Sequence, residues 1–149
     1  MMNNPSTDRT SRTILLIEDS EDDYEATMRA FRKTNFHNPV HWCQSGQAAL
    51  DFLQHAAAPD TKHPGIILLD LNMPGLDGRR TLQHIKEDQA LKRIPIIILT
   101  TSGDERDVAA CYQLGANTYI QKPIAFDGLI EAIKQLKEYW FEIALLPTD

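Results

Sequence analysis

The sequence predicts an α/β fold, a doubly wound parallel sheet of five strands with helices on both faces. Two observations carry this. Three apolar runs, ILLI at 14–17, IILL at 66–69 and IIIL at 96–99, are continuous where a half-exposed strand would alternate. That pattern marks strands covered on both faces. Between the runs, apolar residues recur every three or four positions, the period of an amphipathic helix. The chain of 149 residues, 42% hydrophobic and 24% charged, is of a size and composition for one domain.

In chain order, the run at 14–17 is a strand, and Ser20 with Asp23 reads as a capping box opening a helix carried by Tyr24, Met28 and Phe31. VHWC at 40–43 is a weaker strand, followed by a helix on Ala49, Leu50 and Leu53. After the strand at 66–69, Leu82 and Ile85 mark a third helix. The strand at 96–99 leads to Ser102 and Glu105, a second expected capping box, and to a helix on Val108, Cys111 and Tyr112. Gly115 stands where a helix C-terminal cap belongs. TYI at 118–120 is a second weak strand, and Phe126, Leu129, Ile130 and Ile133 carry the last helix. The reading is βα repeated five times.

Several function classes are excluded. Fifteen basic against twenty-one acidic residues give a net charge of −6, with no basic cluster interleaved with aromatics, so nucleic acid is not an expected direct partner. No run approaches the roughly eighteen apolar residues of a membrane span, and MMNNPSTDRTSR lacks a signal-peptide apolar region. A cytoplasmic protein is expected. Cys43 and Cys111 are far apart and without a C-x-x-C motif, which predicts two buried, reduced thiols.

In a doubly wound sheet, ligands bind beyond the carboxyl ends of the strands. Strand one ends in Glu18 and Asp19, strand three in Asp70, strand four in Thr100 and Thr101, and strand five is followed by Lys122-Pro123. Three carboxylates converging there repel one another unless a cation sits among them, and hard oxygen donors of this kind suit magnesium. Glu21, Asp22 and Asp23 fall in the first turn of a helix, where negative charge favours the helix dipole, and are assigned a capping role.

Taken together, Glu18-Asp19, DLNMPGLDG at 70–78, LTTS at 99–102 and YIQKP at 119–123 resemble the receiver domain of two-component response regulators, over roughly residues 12 to 138. The thirty-residue step from Asp70 to Thr100 and the twenty-two-residue step to Lys122 match as well. The resemblance implies a flavodoxin-like fold with strand order 2-1-3-4-5. It further implies that Asp70 is the phosphoacceptor, taking a phosphoryl group from a kinase phosphohistidine. Asp19, Asp70 and the backbone carbonyl of Asn72 would ligate Mg2+ directly, with Glu18 acting largely through water. Lys122 and Thr100 would serve the phosphoryl oxygens, and Thr100 with Tyr119 would form the switch that repacks the face of helix four, strand five and helix five. Pro74 and Gly78 are read as backbone shapers, and a cis Lys122-Pro123 peptide is a family expectation.

The stretch HAAAPDTKHP at 55–64 is expected to hold extra length as a loop, with His55 and His63 in a partner contact or a solvent-facing insertion. That loop and the HPGIILLDLNMPG run resemble the small stand-alone receivers that work with bacterial phytochrome kinases, cyanobacterial ones especially. A sensor histidine kinase is therefore the expected partner, with an unnamed downstream protein or phosphotransfer partner. Residues 1–11 are expected to be flexible, 12–138 to form the receiver, and 139–149 to be an apolar extension with no output domain attached. Ile133, Leu136 and Trp140 continue the last helical stripe, and Tyr139, Phe141, Ile143, Leu145 and Leu146 add more apolar area than one helix buries against one sheet. A homodimer is expected, with Ile133, Leu136, Trp140, Phe141 and Leu145 as contacts, against the alternatives that the tail folds back over its own domain or docks to the kinase alone.

Two other function classes fit the sequence less well. A phosphatase or phosphotransferase with an Asp nucleophile needs an acid–base Asp two residues on, where this chain has Asn72. A receiver-like scaffold that binds without phosphorylation is opposed by the presence of Asp19, Asp70, Thr100 and Lys122, and a flavin protein by the lack of a Gly- or Ser/Thr-rich loop after strand one.

Overall fold

The computed structural model describes residues 12–55, 63–73 and 77–147. Five strands and five helices alternate as β1 (Ile14–Ile17), α1 (Glu21–Lys33), β2 (Val40–Cys43), α2 (Gly46–His55), β3 (Ile66–Leu69), α3 (Gly78–Glu87), β4 (Ile96–Thr100), α4 (Glu105–Gln113), β5 (Thr118–Gln121) and α5 (Phe126–Lys137). All pairings are parallel, in the order β2-β1-β3-β4-β5. This is the five-stranded, flavodoxin-like arrangement expected.

The continuous apolar runs follow from two-sided burial. Successive strand residues point to opposite faces, and both faces are covered. Leu15, Ile17, Ile67, Leu69, Ile96 and Ile98 pack with Leu53, Leu82, Ile85 and Cys111 on one side. Ile14, Leu16, Ile66, Leu68, Ile97 and Leu99 pack with Phe31, Leu129 and Ile133 on the other. The two weaker strands, β2 and β5, are the sheet edges, where only Cys43 of their eight residues is fully buried. Cys43 and Cys111 are both buried and free, as expected.

Helix ends follow local chemistry. Ser20 caps α1 by accepting from Asp23 N at 3.2 Å, and Gly115 ends α4 with φ +104°, a left-handed conformation that glycine adopts without Cβ strain. Ser102 does not cap α4. Asp104, directly before the helix, accepts from Arg106 N at 2.7 Å, so Ser102 lies two residues too early and its hydroxyl turns elsewhere. Gly78 opens α3 against the backbone of β3's end, where an added Cβ would lie 2.6 Å from both Asp70 O and Leu71 Cα. Pro74, residues 1–11 and most of the 55–64 stretch lie outside the described residues.

The C-terminal expectation needs correction. Helix α5 runs without a break into a π-helical segment, Glu138–Ile143. Phe141 turns inward, edge-on to Phe36 at 5.4 Å, and Phe36 stacks on Phe31 at 4.4 Å. Ile133, Leu136 and Phe141, expected as dimer contacts, are 0%, 4% and 5% exposed in the chain's own core. Trp140 and Leu146 are half-buried against the same core, and Arg12 Nη2 donates to Pro147 O at 3.1 Å. The tail folds back over its own domain because its inward residues complete the layer begun by α1 and α5. Tyr139, Ile143 and Leu145 remain exposed. Among the described residues, no helix is long and apolar enough to cross a membrane.

Candidate functional site

The carboxyl edge of the sheet brings together the residues that the strand ends carry. The parallel ladder fixes each one's backbone: Glu18 N donates to Cys43 O at 3.0 Å, Asp70 N to Ile17 O at 3.1 Å, and Lys122 N to Thr100 O at 2.6 Å. Glu18, Asp70, Thr100 and Lys122 are all buried there, while Asp19 is exposed.

Three carboxylates, on Glu18, Asp19 and Asp70, have oxygens within 4.8 Å of one another. Among the described residues, one ammonium faces them. Lys122 Nζ lies 2.9 Å from Glu18 Oε1, 3.7 Å from Asp70 Oδ2 and 3.8 Å from Asp23 Oδ2. Burial pushes Glu18 up to about 7, against the opposing hydrogen bond and charge of Lys122 and with the help of Asp70. For Lys122, burial pulls downward, but the hydrogen bond and charge of Glu18, with Asp70 and Asp23, outweigh it and hold the ammonium above its ordinary range. The site is therefore short of positive charge, and its donors are hard oxygens that fit a divalent cation.

Asn72 sits beside the nucleophile candidate. Its N–H donates to Asp70 Oδ1 at 3.1 Å, and its side-chain amide donates to Thr100 Oγ1 and Thr101 Oγ1, each at 3.3 Å. These bonds turn the Asn72 NH2 group toward the end of β4. Tyr119 on β5 donates its hydroxyl to Ser102 O at 2.8 Å, tying β5 to the loop that follows Thr100. Burial raises this phenol above its ordinary value. The Lys122-Pro123 peptide is not cis, so the lysine is aimed by the ladder bond from its own N–H instead.

Sequence reasoning missed two participants. Asp23, assigned mainly a capping role, also faces Lys122. The signal was its place in the first turn of α1, directly after the acidic end of β1. Trp42 on β2 donates its indole N–H to Glu18 O at 2.7 Å and stacks on Tyr24 at 3.9 Å, supporting the acidic end of β1 from the neighbouring strand. No local pattern announces that contact.

The response regulator receiver domain family matches residues 14–134. A probable methanogenesis regulatory protein, FilR2 of Methanothrix harundinacea, is 37% identical over 85% of this chain and 82% of its own. Response regulator Rcp1 of Synechocystis is 36% identical over 92% of this chain and 94% of its own. Its Mn(2+)-bound crystal structure superposes with a TM-score of 0.82, covering 92% of this chain and 99% of that one. The phosphorylated cyanobacterial phytochrome response regulator RcpA superposes with a TM-score of 0.84 at 34% identity, covering 93% of this chain and 99% of that one.

Proposed function

The chain belongs to the response regulator receiver domain family, and on that premise we propose that it is a phosphoryl-accepting signalling protein with Asp70 as the acceptor. The observation that carries this is the convergence on Asp70 of one buried ammonium, 3.7 Å away, and two further carboxylates whose oxygens lie within 4.8 Å.

In the transfer, an Asp70 carboxylate oxygen attacks the phosphorus of a kinase phosphohistidine. The O–P bond forms as the P–N bond breaks, and the imidazole leaves with the electron pair. Lys122 stands where its ammonium can donate to a phosphoryl oxygen, and the buried Thr100 hydroxyl, now held by Asn72, is the second donor. Glu18, Asp19, Asp70 and the backbone carbonyl of Asn72 would hold Mg2+, which when bound supplies positive charge against the phosphoryl group. Drawing Thr100 inward disturbs the loop whose Ser102 carbonyl anchors Tyr119, so a local charge change repacks the face of α4, β5 and α5.

The likeness to the phytochrome response regulator RcpA supports a sensor histidine kinase of the phytochrome type as donor, and we place the transfer in the cytoplasm. The downstream protein or phosphotransfer partner is reached by docking, without direct contact to nucleic acid or membrane. The exposed Tyr139, Ile143 and Leu145 support a homodimer seam.

Phosphotransfer from a panel of histidine kinases, phytochrome types first, tests the function. Label is expected on Asp70, with Mg2+ required and Asp70→Asn silent. Transfer to Asp70→Asn at the wild-type rate, or transfer that survives chelation, would sink it. Partner binding that ignores phosphorylation altogether would instead favour the scaffold reading.

A further inference from the structure

The loop between β4 and α4 follows directly on Thr100, the last residue of β4, and is held from outside the site by polar contacts that phosphoryl transfer itself does not use. Ser102 donates its hydroxyl to Asp107 Oδ2 at 2.6 Å. The other oxygen of Asp107 is ion-paired with the Arg79 guanidinium of α3. Arg79 directly follows Gly78, the residue packed tightly on the backbone of Asp70 and Leu71. The carbonyl of Ser102 meanwhile accepts the Tyr119 hydroxyl. A brace therefore runs from the phosphoacceptor's own backbone, through the start of α3, to the first turn of α4 and back to the loop that follows Thr100.

We propose that Arg79, Asp107 and Ser102 form a positioning brace that holds the Thr100 loop in its unphosphorylated arrangement and so sets how readily the site takes and keeps a phosphoryl group. The proposal rests on the roles of Asp70 and Thr100 given above. Ser102 is two residues from Thr100 and cannot follow it toward Asp70 while its hydroxyl stays on Asp107. Asp107 in turn is fixed by its own helix and by Arg79. Movement of the loop must lengthen the 2.6 Å bond or drag the first turn of α4. Hydrogen bonds to an ionised carboxylate are stronger than neutral ones, and the Asp107 side chain is only 23% exposed. A contact made in one of two arrangements biases the equilibrium by its own free energy.

The test is the affinity of the full chain for beryllofluoride with Mg2+, a phosphoryl mimic, measured by calorimetry for Asp107→Asn, Arg79→Ala and Ser102→Ala. Each is expected to bind about three- to tenfold more tightly than wild type. The double variant Arg79→Ala with Asp107→Asn should gain nothing over Asp107→Asn, and Ser102→Thr, which keeps the hydroxyl, should behave as wild type. The Tyr119 amide resonance of the unliganded variants should move toward its beryllofluoride-bound position, a change that a merely structural role would not produce. Unchanged or weaker affinity with a lowered thermal midpoint would overturn the brace. Wild-type protein that fails to bind beryllofluoride would overturn the phosphoacceptor reading and the brace together, whereas wild-type binding with indifferent variants sinks the brace alone.

Discussion

Lys122 Nζ sits 2.9 Å from Glu18 Oε1, an ion pair closed across 104 positions of sequence between side chains 8% and 3% exposed. The same ammonium serves Asp70 and Asp23 from 3.7 and 3.8 Å. One fixed cation among this many carboxylates leaves the site poised for a second, and four predictions follow from that charge balance and from the packing beneath it.

Metal binding should weaken as the pH falls through about 7. There the buried Glu18 carboxylate takes a proton that a cation must displace, so affinity should drop by up to about tenfold per pH unit below 7 and level off above 8. In the metal-free protein the folded state holds this proton and the unfolded chain does not, between the ordinary 4.5 and about 7. Glu18 alone should thus cost about 3 kcal/mol of stability as the pH rises across that window. Mg2+ titration followed by the fluorescence of Trp42, which donates to Glu18 O, reads the affinity. An affinity that stays level from pH 5.5 to 8.5 would remove Glu18 from the site.

Lys122→Ala should destabilise the metal-free fold by about 3–5 kcal/mol at pH 8.5, because it strands Glu18 as a buried charge. The loss should shrink at pH 6, where Glu18 is protonated. Chemical denaturation at both pH values checks the sign. A pH-independent loss would mean that packing of the lysine stem matters more than its charge.

Thr100→Ala and Lys122→Ala should each separate phosphorylation from response. The nucleophile and the carboxylates remain, so phosphoryl uptake should persist within about tenfold, while the shifts of α4 and β5 resonances that follow phosphorylation should largely vanish. A normal response in either variant would take that residue out of the switch.

Phe141→Ala should cost about 3–5 kcal/mol, since the ring is buried edge-on to Phe36. Leu145→Ala, at a side chain 77% exposed, should leave the stability of the isolated domain within about 0.5 kcal/mol. If Tyr139, Ile143 and Leu145 form a dimer seam, replacing all three with Ser should shift wild-type dimers to monomers in analytical ultracentrifugation at tens of micromolar. A wild-type monomer at that concentration would dispose of the seam.

The apolar runs of β1, β3 and β4 were legible because a strand buried on both faces must be apolar at every position, and the helices between them because their buried stripes recur with the helical period. The place of Asp70, Thr100 and Lys122 was legible for a related reason. Parallel strands all deliver their carboxyl ends to one edge, so a polar residue just past each run arrives at the same site. Periodicity, however, describes only the face that an element buries and not the partner it meets. Whether Asp23 merely caps α1 or also turns to Lys122, whether Ser102 caps α4 or bonds to Asp107, and whether Phe141 waits for a second chain or closes on Phe36 depend on distances between elements. Those distances exist only once the helices dock on the sheet, so the site's ingredients are local in the chain, while its charge balance, its brace and the fate of its tail are decided by packing.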